Sequence, residues 1–276
     1  MQKTLSDSIL GIKFNYFTND CMAGGSVGSN KEWEPHITEF TRILNSFTKL
    51  DGIIDIGANF GYHTLLFSRT CSQVHAFEPQ IQNFNLLQDN VILNNIGNIT
   101  TYNYACGDEN CEIKMPIFNC GQDQKVNMGD ITPNILMTDN HSVTRSIILD
   151  ELKFTEKIQL IKIDVQGWEK KVLIGANKML QTHKPVLIVE FEHFQLEKTQ
   201  TTCKELFDYI RGQNYYIFYL DYEYPSDHIC VHNDNLEDFK SKFKDYIFPH
   251  FENNAINNNV MNGVCEKITM FNKSSH

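Results

Sequence analysis

The sequence predicts an α/β fold, a doubly wound and mostly parallel sheet wrapped by helices on both faces. Three observations lead there. Aliphatic runs recur at Ile53–Ile56, Val74–Phe77, Ile158–Ile163 and Pro185–Glu190. Between them lie stretches whose apolar residues are spaced for one face of a helix. The first run breaks at Gly57-Ala58-Asn59-Phe60-Gly61 and restarts as a helix. A buried strand that turns through glycines into a helix opens a nucleotide-binding α/β unit.

Each element can be justified in chain order. Trp33-Glu34-Pro35 precedes His36, Ile37, Phe40, Ile43, Leu44 and Phe47, the spacing of an amphipathic helix. That helix either covers a sheet edge or forms a lid, with the glycine-rich run from Gly24 to Ser29 as its hinge. Residues 52–57 form the first strand, 61–70 a helix and 73–78 the second strand. Pro79 stops that strand and starts a helix through Asn95 with Phe84, Leu87 and Val91 on one face. Asn98 to Ala105 is the third strand, closed by Cys106-Gly107-Asp108. Residues 111–150 interrupt the rhythm: Glu112–Phe118 and Ser142–Leu149 flank a polar loop containing Asn127-Met128-Gly129-Asp130 and read as an inserted β-hairpin. A long polar loop inside a compact domain is often a binding loop.

The fourth strand, Ile158–Asp164, ends in an acid and turns through Val165-Gln166-Gly167 into a helix with Trp168, Val172, Ala176 and Met179 facing inward. Pro185–Glu190 is the fifth strand, and Cys203, Leu206, Phe207 and Ile210 mark the next helix. Tyr215–Leu220 and His228–His232 are joined by a short acidic loop, which favours an antiparallel pair. Leu236, Phe239 and Phe243 define a final helix, and the tail from Asn253 carries little core signal. The expected organisation is an N-terminal helical cap (1–50), a main domain (51–245, with the hairpin insertion 111–150) and a C-terminal tail (246–276).

Composition narrows the function. At 276 residues and 41% hydrophobic, the chain can bury one large core. Its 24 basic and 34 acidic residues give a net charge of −10, unfavourable for sitting on a phosphate backbone. The apolar runs are too short to cross a membrane, and the N-terminus lacks a secretory apolar core. Eight cysteines without a Cys-x-x-Cys pair read as reduced thiols of a cytoplasmic protein. Cys106, Cys111 and Cys120 cluster in sequence but fit no zinc spacing.

The ligand can be narrowed from the residues. Gly57 and Gly61 let the backbone approach a ligand where a Cβ would clash. Glu78 closes the second strand about twenty residues on, where an acid takes both hydroxyls of a ribose. The Gly-x-Gly-x-x-Gly fingerprint of dinucleotide enzymes is missing. A ligand with a ribose and no pyrophosphate fits, and S-adenosylmethionine (SAM) is the leading candidate.

The sequence resembles the FkbM family of SAM-dependent methyltransferases. The resemblance rests on Asp55-Ile56-Gly57-Ala58-Asn59-Phe60-Gly61-Tyr62-His63-Thr64, Ala76-Phe77-Glu78-Pro79, Asn90-Val91-Ile92-Leu93-Asn94, Asp150 and Pro185–Glu190. Its most specific part is Ile161-Lys162-Ile163-Asp164-Val165-Gln166-Gly167-Trp168-Glu169, where Gln166 replaces the acid usual in the family. It covers roughly residues 30–235 and implies a class I methyltransferase fold: a Rossmann-like, seven-stranded sheet with an antiparallel last strand. Such proteins look like O-methyltransferases for sugars and other small molecules. On that reading Asp55 lies near the SAM ammonium, Asn59 and the backbone at Gly61 hold the methionine end, and Ala105 and Cys106 sit beside the adenine. Asp164, Glu190 and His193 gather at the carboxyl edge of the sheet as candidates to orient or deprotonate an acceptor hydroxyl. Asp164 with Glu190 could instead hold Mg²⁺. Lys162 alternates with Asp164 and should share its face. The competing readings are a nucleic-acid ribose methyltransferase, which needs a basic groove, and a SAM-binding module without catalysis, against which the intact acids argue.

Overall fold

The computed structural model describes residues 2–4, 9–118, 125–135, 140–221, 227–249, 264 and 266–270. Cys120, Asn257–Asn259 and most of the acidic loop after Asp221 lie outside the described residues. The N-terminal part contains β1 (Gln2–Thr4), β2 (Asn15–Phe17), α1 (Ala23–Gly28) and α2 (Pro35–Phe47). The main unit then runs β3 (Leu50–Ile56), α3 (Tyr62–Phe67), β4 (Cys71–Phe77), α4 (Ile81–Leu93) and β5 (Ile99–Tyr102). A side unit follows, with β6 (Tyr104–Cys106), β7 (Cys111–Pro116) and β8 (His141–Ile147). The chain returns through β9 (Ile158–Ile163), α5 (Glu169–Gly175), α6 (Asn177–Thr182), β10 (Val186–Glu190), α7 (His193–Lys198) and α8 (Cys203–Gly212). It closes with β11 (Tyr215–Asp221), β12 (Asp227–His232), α9 (Leu236–Lys242), β13 (Ile247–Pro249) and β14 (Glu266–Thr269).

The central sheet has the order β13-β14-β11-β12-β10-β9-β3-β4-β5. The seven strands from β11 to β5 are the expected ones, and β13 and β14 extend the sheet beyond β11. β5, β4, β3, β9 and β10 run parallel, and β12 is antiparallel to both β10 and β11. This mixed sheet with helices on both faces is the Rossmann-like class I methyltransferase architecture. One core cluster packs α5, α6 and α8 on one face, around Ile161, Leu187 and Leu206. The other packs α2 and α9 on the opposite face, around Ile53, Phe218 and Phe243. Among the described residues no helix is long and apolar enough to cross a membrane.

Four local expectations are corrected. The third strand is two strands, because the Asn103 side chain turns to donate to the carbonyls of Glu78 and Pro79. Beyond that turn, β6 leaves the main sheet and pairs with β8, so the inserted β7–β8 hairpin becomes three-stranded. The helix after Gly167 divides at Ala176, where the Asp150 carboxylate caps the second half by accepting from the N–H groups of Lys178 and Met179 at 2.7 and 2.9 Å. The hinge assigned to Gly24–Ser29 is the short helix α1, whose N–H groups at Met22 and Gly24 donate to the Asp20 carboxylate. Finally, the tail reaches the core: β14 adds in parallel to β11, and Ile268 is fully buried.

The helix α2 is a fixed part of the wrapping layer, with Ile37 and Phe40 fully buried. The parts of the N-terminal region that face the site are α1 and residues 32–36. The segment before α1 is tied to α4 by two carboxamides one turn apart. Asn90 bonds the backbone of Asn15 in both directions, and Asn94 does the same for Lys13.

Candidate active site

The parallel strands end together, and their exits are laced by backbone hydrogen bonds. Glu78 N–H donates to Tyr102, Gly57 and Ala58 N–H groups donate to Phe77, and Asp164 N–H donates to Ile56, at 3.0–3.1 Å. Above this row opens a cavity of about 590 Å³. Its floor is the carboxyl edge of β3, β4, β9 and β10; its walls come from α1, residues 32–36, the 127–131 loop and the start of α7.

The turn after β3 is built for close approach. Gly57 has φ +84°, and a Cβ there would stand 1.7 Å from the Asp164 carbonyl oxygen. Gly61 has φ +91° and starts α3. Asn59 between them is also left-handed, with φ +51°, and its side chain accepts from the Phe60 N–H. A left-handed asparagine bonded to its own backbone is the local substitute for a third glycine.

Glu78 reaches this turn from β4. One carboxylate oxygen accepts from the Asn59 N–H at 2.8 Å and the other from the Gln80 N–H at 2.9 Å. Burial pushes its carboxyl up to about 7, although those two N–H groups favour the charge. Ala105 and Cys106, on β6, close the same side of the cavity beside Met115 and Met128. Both are buried, and burial raises the Cys106 thiol well above its ordinary range.

Asp55, Lys162 and Asp164 meet at the centre. Asp55 and Lys162 are register partners on β3 and β9, and Asp164 follows two residues along. Lys162 Nζ lies 2.9 Å from Asp164 Oδ2 and is almost fully buried. Burial opposes the Asp164 charge, but the Lys162 ammonium and the hydrogen bonds from Lys162, Gln166 and Glu190 hold its carboxyl below the usual range. Asp55 accepts from Thr64 Oγ1 through Oδ2, while Oδ1 is buried at the cavity wall without a partner. Burial raises its carboxyl, more than Lys162 and Thr64 lower it.

Glu190 continues the row. Val189 pairs with Ile163, so Glu190 and Asp164 are the next step along β10 and β9. The Gln166 amide bridges them, donating to Asp164 Oδ1 at 2.9 Å and Glu190 Oε2 at 3.0 Å. Burial and the neighbouring carboxylates, Asp164 first, push the Glu190 carboxyl well up. Glu169 braces the 165–167 turn by accepting from the N–H groups of Val165 and Gly167. The Asp164–Glu190 pair does not fit a Mg²⁺ donor set: Asp164 is paired with the Lys162 ammonium and both acids accept from the Gln166 amide. Among the described residues no group of three or more His, Cys, Asp or Glu is arranged to hold a metal ion.

His193 is not brought to the cavity. It is the first residue of α7, and the helical turn carries its half-exposed ring outward to Glu197 Oε1 at 3.2 Å. Glu192 and Phe194, on either side, line the cavity instead. The ring bases at the wall are two that sequence reasoning did not assign. His36 Nε2 bonds Asp227 Oδ2 at 2.8 Å, and His63 Nε2 bonds Glu34 Oε2 at 2.9 Å. Glu34 holds this contact from a left-handed backbone, φ +44°, which a glutamate rarely adopts. Asp227 could have been found from the hairpin geometry: the first residue of an antiparallel return strand lies at the carboxyl edge, here opposite Glu190.

The chain is 27% identical over 144 residues to Methyltransferase 1 of Beauveria bassiana (strain ARSEF 2860), covering 45% of this chain and 58% of that protein. Among solved structures it is similar to the FkbM methyltransferase of Methylobacillus flagellatus KT (17% identity, TM-score 0.47), covering 67% of this chain and 44% of that one. It is also similar to SMU.1697c from Streptococcus mutans in complex with SAH (12% identity, TM-score 0.44), covering 71% and 96%. The chain therefore spans about half the length of the first two relatives. The family model described as the Methyltransferase FkbM domain matches residues 55–217, more than half of the chain, from the end of β3 through β4, β9 and β10, and the protein belongs to that family.

Proposed function

We propose that the protein is a SAM-dependent O-methyltransferase that methylates a hydroxyl of a sugar, glycan or other small molecule. One observation carries the reading: a single cavity joins the Gly57–Gly61 turn and Glu78 to the carboxylate of Asp164. The residues fit SAM. Glu78 would take the ribose hydroxyls with the lone pairs its two N–H contacts leave open. The unpartnered Asp55 Oδ1 would receive the ammonium, Asn59 and the backbone at Gly61 the methionine end, and Ala105 and Cys106 the adenine. When bound, SAM supplies a methyl group on a sulfonium, with a neutral thioether as leaving group.

Asp164 would orient the acceptor hydroxyl and take its proton as that oxygen gains the methyl group. Lys162 holds Asp164 ionised and fixes its direction. Glu190 and Gln166 complete the acceptor end. Lys162 is the only lysine or arginine lining the cavity among the described residues, which favours a small acceptor over a phosphate backbone. In this assignment residues 1–50 cap the cavity, 51–245 form the transferase domain with 111–150 inserted, and 246–276 are an accessory tail. Calorimetry should show binding of SAM and S-adenosylhomocysteine (SAH) but not NAD, and labelled methyl should pass to a sugar hydroxyl faster than to RNA. Binding of NAD without SAM would overturn the assignment.

A further inference from the structure

Three acids stand side by side on adjacent strands at the acceptor end of the cavity. Asp164 follows β9, Glu190 ends β10, and Asp227, the register partner of Glu190, begins β12. Two of them have basic partners. Asp164 is paired with Lys162, and Asp227 with His36. Glu190, in the middle, is met among the described residues by the neutral Gln166 amide and by no ion pair. Half-buried carboxylates crowded in this way are stabilised when a proton or a cation is supplied. In the free protein a proton can do this for Glu190, whose carboxyl is pushed well up by burial and by Asp164 beside it, the two acids being joined through the Gln166 amide. The mouth beside them is apolar. Phe194 is 72% exposed and Met22 43% exposed, and both line the cavity with Trp33. Exposed aromatic and thioether surface next to a carboxylate suits a cation carried on a ring or hydrocarbon body.

We propose that the acceptor carries a protonated amine, and that Glu190, flanked by Asp164 and Asp227, is the slot that receives it. The amine anchors the acceptor, and the hydroxyl to be methylated lies beside it at Asp164. The location of the acceptor rests on the methyltransferase reading; the demand for a cation does not. Binding exchanges one charge for another: the ammonium enters, the Glu190 proton leaves, and the cavity keeps its net charge. The charged groups around Glu190 are the acids Asp164 following β9, Asp227 on β12, Glu169 at the start of α5 and Glu34 ahead of α2, together with Lys162 on β9 and the His36 ring on α2. Lys162 is engaged by Asp164 and His36 by Asp227, so the amine would meet Glu190 as its own counter-ion.

The test is calorimetry on the full chain, first with SAH and then with matched probes in the presence of SAH. The probes are benzylamine and glucosamine, each beside its N-acetyl form. The amines should bind about 10- to 100-fold more tightly than their acetylated forms, the range of one charged hydrogen-bonded contact. Titration in buffers of different ionisation enthalpy should show about one proton released per amine near neutral pH. Glu190→Gln should remove both the preference and the proton release. The comparison on the parent chain needs no variant, so a folding defect in Glu190→Gln leaves the test intact. Equal binding of amine and amide, or no amine binding while SAH binds, overturns the slot. Amine preference without SAH binding supports the slot and overturns the cofactor assignment instead.

Discussion

Glu78→Ala separates two roles of one carboxylate. In the structure this side chain is 5% exposed and holds the N–H groups of Asn59 and Gln80. Its carboxyl sits at about 7 in the folded chain, against an ordinary 4.5. An acid raised on folding favours the folded state when protonated. Its effect is therefore most favourable below the ordinary value, and stability is lost as pH rises from there to about 7. The shift corresponds to about 3 kcal/mol in full, of which about 2–3 kcal/mol falls between about pH 5 and about pH 8. The substitution removes that pH dependence and leaves two buried N–H groups unsatisfied, at about 1–3 kcal/mol each. Denaturant unfolding of parent and variant should show a destabilisation that is larger at the acidic end by about 2–3 kcal/mol. Calorimetry with SAH should show affinity in the parent falling as pH drops through about 7. In Glu78→Ala it should be about 10- to 100-fold weaker and flat with pH. A destabilisation independent of pH, or parent affinity unchanged across that range, would refute both the burial argument and the ribose assignment.

Four other outcomes follow from the geometry. Asp164→Asn keeps the shape and should leave SAH affinity within a few fold, while labelled-methyl turnover falls about 100- to 10,000-fold; normal turnover would remove Asp164 as the base. His193→Ala should leave turnover within about twofold, as for other exposed positions, because its ring points away from the cavity. Gly57→Ala should cost more than about 4 kcal/mol in unfolding measurements or abolish soluble expression, since its Cβ would meet the Asp164 carbonyl at 1.7 Å. Ile268→Ala should cost about 2–5 kcal/mol by thermal or chemical unfolding, a value near zero showing that β14 is dispensable.

The sheet was readable because its strands are short aliphatic runs that end at glycine or an acid. The period-two spacing of Lys162 and Asp164 correctly placed both on one face, and the register confirms it through Asp55. Other parts of the site depend on contacts that local pattern does not carry. Glu34 and His36 come from the segment before β3 and meet His63 and Asp227 only after α2 has packed on the sheet. The split at Asn103 turns on one side chain choosing the carbonyls of Glu78 and Pro79. His193 was misplaced because a strand alternation was carried past Glu190, where the chain already coils into α7. The tail gave no periodic signal, since β14 is four residues long and a single fully buried side chain, Ile268, anchors it.

The lacing of the strand exits makes the floor of the cavity a ruler. From Glu78 through the Gly57 turn to Asp164, every step is a backbone hydrogen bond between neighbouring strands. Two strand spacings, roughly 10 Å, separate the acid that ends β4 from the acid that follows β9. Side-chain replacement cannot lengthen or shorten that span, and the Gly57–Asp164 contact leaves no slack in it. The parts that shape the rest of the cavity are grafted on: α1, residues 32–36 and the 127–131 loop. Selection for a different acceptor can therefore redraw those walls while the measured distance between the two ends stays the same.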